Sequence, residues 1–221
     1  MLIHMQNNTK LTIKFYWQEV MRIKLVAFFA LVGVSGSSIS GTLIPLLFKR
    51  FFDILTASGD KSALATQLLS VLGMIAALEG VRWLFWALTD YSYTILQTSV
   101  MKSLSLRCFK YLHRHSFSFF NNNFVGSLVK RCNYFTNAFE RMADRVIYSV
   151  IPLFLEIAIV LAVLFYTHFT LGLGISIWII LFMGMNVLLA QYKLKYDILR
   201  SDAETKTTGY LADTITNNVN V

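Results

Sequence analysis

Long apolar stretches alternate with polar segments along this chain. Uncharged or nearly uncharged runs occupy residues 25–48, 63–89, 146–167 and 171–192. Each run is close to the roughly 20 residues that a helix needs to cross about 30 Å of hydrocarbon. The pattern therefore predicts an all-α integral membrane protein with four transmembrane helices.

Polar side chains and two glycines separate the last two runs. Between Ile157 and Tyr192 the chain carries no formal charge when His168 is neutral. A single helix of that length would extend roughly 54 Å. The intervening sequence YTHFTLGLG is rich in polar residues and glycine, so we expect two helices joined by a tight turn.

Helical periodicity continues far beyond the second run. No proline occurs between Leu46 and Ile151, and the apolar pattern that starts near Gln67 reaches TDYSYTILQTSVMKSLSLRCFKYLHRH without a break signal. A helix of about fifty residues would be roughly 75 Å long, of which only some 30 Å fits in hydrocarbon. After Gly126, apolar residues recur at spacings of three and four, which indicates a returning helix. Residues 90–145 are therefore expected to form a helical hairpin outside the membrane.

Basic residues predict the orientation of the chain. Short cytoplasmic segments are enriched in Lys and Arg, and here these residues cluster before the first run, between the second and third, and after the fourth. Both termini and the hairpin are thus predicted to be cytoplasmic, with the chain integral to the plasma (inner) membrane. The net charge of +8 is explained by this asymmetry and by anionic lipid, and it does not indicate nucleic acid. Cys108 and Cys132 fall on the cytoplasmic side and should be free thiols.

Two features of the N-terminal region predict contacts. Residues 10–24, KLTIKFYWQEVMRIK, mix aromatic and basic side chains, which is typical of a helix at headgroup depth; a frayed tail is the alternative. In the first apolar run, Gly33, Ser37 and Gly41 are four residues apart. That helix face is small enough for a neighbouring helix to approach closely.

Ionisable residues within the apolar runs are candidate functional groups. Glu79 and Arg82 lie three apart in the second run, and Glu156 lies in the third. Such groups usually face a bundle interior or a water-filled cavity. The simpler interpretation of Glu79 and Arg82 is an ion pair that helps two helices to pack. Glu156 has no partner on its own helix, which makes it the better cavity candidate.

Motifs for catalysis and cofactor binding are missing from the sequence. It contains no Ser/His/Asp set, no HExxH and no CxxC, and none of its eleven glycines is followed by Lys, as a phosphate-binding loop would require. His113 and His115 are two apart, a spacing that sends helical side chains to different faces. We therefore expect no catalytic site, metal or cofactor in this chain.

Aromatic residues cluster at the expected tip of the hairpin, residues 115–128. Asn122 and Gly126 are candidate contact residues of this tip. A turn there needs only small polar residues, which Asn121, Asn122 and Asn123 supply. It does not need a cluster of phenylalanines, which are typical of a surface that a partner covers. The alternative is that the rings pack within the hairpin. The aromatic residues concerned are Phe117, Phe119, Phe120 and Phe124.

Two segments resemble the membrane domain of ABC exporters. In PLLFKRFFD, Pro45, Arg50 and Asp53 match the end of that family's first span. Four residues after Arg131, which ends the second segment, Phe135 departs from the family pattern, because many members carry an acidic residue at that position. In LRCFKYLHRHSFSFFNNNFVGSLVKR, the residues that match the segment around the first coupling helix are Arg107, Leu112, Phe119, Phe120, Gly126, Leu128 and Arg131.

The resemblance implies the first part of a longer transporter with six spans per subunit. Residues 1–24 would be an interfacial elbow helix, residues 25–221 a truncated transmembrane domain, and residues 193–221 the start of a second cytoplasmic extension. The complete protein would be a homo- or heterodimeric ATP-driven exporter whose nucleotide-binding domain, on the same or another chain, carries ATP and Mg. The tip would contact that domain. The competing interpretation is a four-span sensor or anchor module that signals to a cytoplasmic partner.

Overall fold

Helices make up nearly all of the structure, a computed structural model that describes residues 2–57, 61–116, 119–120 and 125–216. No strand occurs among these residues. In chain order the elements are α1 (Leu2–Arg22), α2 (Lys24–Thr56), α3 (Lys61–Leu112), α4 (Val125–Arg145), a π-helical turn (Val146–Val150), α5 (Ile151–Thr167) and α6 (Phe169–Thr216).

The four predicted transmembrane helices are present. Within the described residues, the segments that are long and apolar enough to cross a membrane are Lys24–Thr56, Ser62–Leu112, Val125–Thr167 and Phe169–Ala212. Many large apolar side chains on them are exposed, for example Trp83 at 64%, as expected of surfaces that contact lipid. These observations confirm an all-α integral membrane protein.

The chain divides into two compact units, Met1–Val160 and Leu161–Val221. In the second unit the predicted break is found at His168, between α5 and α6. The His168 amide donates to the Leu164 carbonyl at 2.7 Å, and the His168 carbonyl accepts from the Gly172 amide at 3.1 Å. One non-helical residue is therefore enough to end α5 and begin α6.

The helix α3 is continuous over 52 residues, about 78 Å at 1.5 Å per residue. This length confirms the prediction of one long helix that extends well beyond the membrane. The returning helix is also present as α4. Both belong to the first unit, where α3 contacts α1, α2 and α4.

The most extensive helix contact of the first unit joins α2 and α3. It passes through the predicted face of small residues. A Cβ atom added to Gly33 would lie 2.5 Å from Thr89 Oγ1 and 2.7 Å from the Thr89 backbone nitrogen. A Cβ on Gly36 would lie 2.5 Å from the Phe85 ring. Glycine is therefore required for the two backbones to approach this closely.

A buried cluster joins α1 to α4 where the hairpin leaves the expected membrane region. Its largest fully buried side chains are those of Leu104 of α3 and Phe139 of α4, which are 0% and 1% exposed. Tyr16 of α1 packs its ring 5.3 Å from that of Phe139 and donates its hydroxyl to the Phe135 carbonyl at 2.6 Å. Burial raises the pKa of the Tyr16 hydroxyl above its usual range. The cluster holds α1, α3 and α4 together as one body.

Cys108 and Cys132 are both free thiols. Their side chains are neighbours across the α3–α4 contact, where burial and then the proximity of Cys132 raise the pKa of the Cys108 thiol to about 11. Cys108 lies one helical turn after Leu104, and Cys132 lies two turns before Phe139. This pairing extends the antiparallel register of the buried cluster toward the tip of the hairpin.

A π-helical turn connects α4 to α5 just before Pro152. The Ile151 amide bonds to the Val146 carbonyl, five residues back. Pro152 has no amide hydrogen with which to continue the α-helical bonding pattern at the Tyr148 carbonyl. The widened turn accommodates this missing donor. It also places Tyr148 beside α3, as described below.

Gly33→Ala should destabilise the protein, because the added methyl group would meet the backbone of α3 and not merely a flexible side chain. We expect the free energy of unfolding to fall by about 1–3 kcal/mol, measured by denaturant titration in mixed micelles.

Gly80→Ala is the matched control, since Gly80 lies in α3 and a Cβ there would have no neighbour within 4 Å. Its stability should be unchanged, or higher by up to about 1 kcal/mol. Equal stabilities for the two variants would contradict the close contact at Gly33.

Candidate functional site: a polar cavity between helices

A cavity of about 390 Å³ lies between α2, α3 and the segment from Tyr148 to Val160. It is within the first unit of the chain. Apolar helices surround it on these sides, yet most of its lining side chains are polar or aromatic. The lining residues used below are Ser37, Ser38, Gly41, Thr42, Arg82, Trp86, Thr89, Tyr148 and Glu156.

Hydroxyl side chains line the α2 wall of the cavity. Thr42 donates its hydroxyl to the Ser38 carbonyl at 2.8 Å, and on α3 Thr89 donates to the Phe85 carbonyl at 2.9 Å. Such bonds to the preceding turn satisfy the hydroxyl donor within its own helix. The oxygen lone pairs remain available, so these hydroxyls can accept hydrogen bonds from a guest. Their own hydrogens already have acceptors within the helix, so no donor is left unpaired.

Arg82 lies against the backbone of α2. A Cβ on Gly41 would be 3.1 Å from Arg82 Nε and 3.3 Å from its Cζ, so a larger residue at position 41 would crowd the guanidinium. Arg82 Nη1 is also 3.4 Å from Glu79 Oε1, and both side chains are about half exposed, at 48% and 50%. The ion pair predicted between these residues, which are three apart, therefore exists, but its N–O distance is long and both side chains are accessible to solvent.

Glu156 lines the same cavity as Arg82 and is exposed. No ion pair joins these two side chains among the described residues. Glu79 lines a separate cavity of about 250 Å³, which also borders Arg82. The structure thus brings Arg82 and Glu156 to one cavity, whereas Glu79 lines the neighbouring one.

Opposite charges in a cavity between apolar helices give it a defined chemistry. Coulomb interactions there are stronger than in bulk water because the surrounding dielectric is lower. A guest with an anionic group can approach Arg82, and a cationic or donor group can approach Glu156. Trp86 adds an aromatic surface, which can stack on rings or on cations. The cavity therefore suits amphiphilic molecules that carry polar groups.

Two carboxylates that sequence reasoning did not select lie near this cavity. Tyr148 donates its hydroxyl to Asp90 Oδ1 at 3.1 Å, and Tyr93 donates to Asp144 Oδ1. The two tyrosine rings meet edge to face with centroids 5.2 Å apart. These contacts join α3 to the end of α4 and the π-helical turn.

A signal for this network exists in the sequence. Arg82, Trp86, Asp90 and Tyr93 are spaced three or four apart, so they share one face of α3. A polar stripe that continues from a charged cavity residue could have indicated Asp90. Nothing in the spacing of Asp144 indicates its partner, because Tyr93 is 51 residues away.

The described part of the hairpin tip is compact. Phe119 and Phe120 are helical and half-buried. The Phe119 ring lies 4.2 Å from that of His115 and 5.5 Å from that of Phe120, measured between centroids. Gly126 is exposed in the first turn of α4. The other predicted tip residues, Phe117, Asn122 and Phe124, lie outside the described residues.

Comparison with known proteins agrees with this architecture. Residues 26–220 match the family described as the ABC transporter transmembrane region. One similar protein is ABC transporter B family member 6 of Dictyostelium discoideum, which is 21% identical over 166 residues. The match covers 72% of this chain and 22% of that protein, so the chain spans about a fifth of its relative's length. The four candidate membrane helices and the polar cavity fall in the matched region, and the chain belongs to the ABC transporter transmembrane region family.

Proposed function

We propose that this chain is the N-terminal part of the membrane domain of an ATP-driven ABC exporter. Residues 1–24 form its interfacial elbow, and residues 25–221 form the first four spans and the start of a second cytoplasmic extension. The observation that carries the proposal is the polar cavity, which holds Arg82 and Glu156 between helices of an ABC membrane domain.

The cavity forms part of the substrate pathway. A charged side chain at membrane depth is costly unless it serves a partner or a guest. Glu156 has no ion-pair partner among the described residues, and Arg82 has only the long contact with Glu79. Both therefore keep binding capacity for a substrate.

The hairpin tip couples the cavity to an ATPase domain. Arg82 and the end of α3 at Leu112 belong to one uninterrupted helix and are about 45 Å apart along it. The buried contact of Leu104 with Phe139 ties α4 to the same body. A displacement of the tip by a closing ATPase domain would therefore move the cavity wall as a rigid body.

The remaining components lie outside this chain in the proposal. A nucleotide-binding domain, on the same or another chain, binds ATP and Mg, and two membrane domains pair as a homo- or heterodimer. The N-terminus and the hairpin face the cytoplasm of a cell whose plasma (inner) membrane holds the transporter. The clusters of Lys and Arg near α1 and the hairpin support this orientation.

Glu156→Gln should change transport in the complete protein, because it removes the negative charge of the cavity and keeps its shape. We expect roughly a tenfold or larger change in apparent affinity for a substrate that contacts this wall, the effect of losing one charge-assisted hydrogen bond. Transport into inside-out vesicles gives the measurement.

Glu204→Gln is the matched control for Glu156→Gln. Glu204 is exposed and paired with Arg200 at 2.8 Å, and it is not one of the residues that line the cavity. The Glu204→Gln variant should transport normally. Glu156→Leu would strengthen the test, and the cavity assignment fails if that variant keeps the normal rate and substrate range.

Phe119→Ala combined with Phe120→Ala should uncouple ATP hydrolysis from transport in the complete protein. The two rings pack on each other and on His115, so their loss removes the firm contact surface while α3 and α4 remain. We expect nucleotide binding and ATPase activity to persist while transport per ATP falls severalfold or more, as when interface hot spots are truncated.

Tyr134→Ala is the control for the tip variant, because Tyr134 is an exposed aromatic residue of α4 whose ring centroid lies 5.8 Å from Lys130 Nζ. It should leave coupling intact. A tip double variant that still transports at the normal rate would exclude the coupling role.

A further inference from the structure

A second cleft lies between α1 and α3, apart from the polar cavity. Its volume is about 460 Å³. The lining residues that matter here are Glu19 and Arg22 of α1, Ser103, Arg107 and Lys110 of α3, and Arg114 in the turn that follows α3. Four cations and one carboxylate give the cleft a formal charge of +3.

Glu19 joins α1 to α3 across the cleft, and both of its carboxylate oxygens have partners there. Its side chain is 1% exposed. Glu19 Oε2 accepts from Arg22 Nη1 at 2.7 Å and from the Ser103 hydroxyl at 2.6 Å, while Oε1 is 3.4 Å from Arg107 Nη1. This carboxylate therefore cannot neutralise the remaining cations of the cleft.

Donor capacity remains in the cleft after these bonds are made. Arg107 Nη1 is buried and has no hydrogen bond, although buried polar atoms are normally paired. Lys110 and Arg114 have no carboxylate partner among the described residues. A buried guanidinium nitrogen that makes no hydrogen bond and only a long ion contact of 3.4 Å with Glu19, beside two cations without a carboxylate partner, is suited to an oxyanion.

The position of the cleft relative to the membrane indicates the source of this anion. Gly33 of α2 contacts Thr89 of α3, so Leu25, the start of the apolar run of α2, is level with about residue 97 of the antiparallel α3. Ser103 is six residues further, roughly 9 Å at 1.5 Å per residue. That distance lies just outside the headgroup layer, which extends some 5–8 Å beyond the hydrocarbon on each side. On α1, Arg22 lies closer to the membrane, only three residues before Leu25.

Side-chain direction brings the cations of the cleft closer to the bilayer. Helical side chains lean toward the N-terminal end of their helix, which for α3 is the membrane end. The Arg107 guanidinium also stacks over Phe15 of α1 at 4.8 Å. The exposed Trp17 of the same helix adds an aromatic residue of the kind that anchors at the interface.

We propose that this cleft binds the phosphate group of an anionic membrane lipid. Arg22 and Arg107 contact the phosphate, Lys110 and Arg114 attract it through their charge, and the aromatic face of α1 lies beside the lipid's glycerol and acyl region. The site is independent of the substrate pathway. It anchors α1 and α3 to the same leaflet.

The test measures lipid binding to the purified chain in detergent by native mass spectrometry. Phosphatidylglycerol should be retained at least about tenfold more strongly than phosphatidylcholine, since each cation near an anionic headgroup contributes about 1 kcal/mol. In Lys110→Gln with Arg114→Gln, which leaves the Glu19 contacts intact, this preference should fall about tenfold or more. Circular dichroism verifies that the variant remains helical.

Lys102→Gln with Lys130→Gln is the matched control, because it removes two exposed cations from α3 and α4 outside the cleft. It should keep the preference for phosphatidylglycerol. Equal retention of the two lipids, or equal loss in the two double variants, would overturn the proposal. If millimolar inorganic phosphate displaces phosphatidylglycerol, the site takes a soluble phosphate compound and the assignment to lipid is wrong.

Discussion

The close approach of α2 to α3 at Gly33 is the contact on which the rest of the first unit depends. A Cβ there would lie 2.7 Å from a backbone nitrogen of α3, so the two helices touch through their main chains. In lipid the hydrophobic effect does not drive helices together, and packing of small residues takes its place. This contact sets the register that puts Arg82 against Gly41. The same register continues to the bond between Glu19 and Ser103.

The long helix α3 then connects sites that are far apart. It carries Arg82 in the polar cavity, Ser103 and Arg107 in the basic cleft, and ends at the tip of the hairpin. Because the buried cluster around Leu104 fixes α1 and α4 to it, these sites cannot move independently. The proposed coupling between an ATPase domain and the cavity would require a rigid connection of this kind.

Features with a local or periodic cause could be predicted from the sequence. The four apolar runs, the break at His168, the continuous α3 and the packed face around Gly33 all follow from hydropathy, helix breakers and spacing. The ionisable residues at membrane depth were also identifiable, because they are rare there.

Contacts between distant segments could not be predicted in this way. The bonds of Tyr148 to Asp90 and of Glu19 to Ser103 join residues 58 and 84 positions apart, and no periodic pattern reports them. The π-helical turn depends on how Pro152 is accommodated. Sharing of one cavity by Arg82 and Glu156 depends in turn on this packing.

A disulfide across α2 and α3 tests the central contact most directly. The starting protein would carry Cys108→Ser and Cys132→Ser, so that it has no native thiol, and a protease site between α2 and α3. In this protein, Gly36→Cys would be combined either with Phe85→Cys or with Leu84→Cys. A Cβ at Gly36 reaches Phe85 Cγ at 2.6 Å, so after loss of the ring the first pair meets the Cβ separation of roughly 3.5–4.5 Å that a disulfide needs. Leu84 is 61% exposed and serves as the control. After mild oxidation and cleavage, the account predicts that the 36–85 pair keeps the two fragments joined and the 36–84 pair does not; efficient joining through residue 84, or none through residue 85, would contradict it.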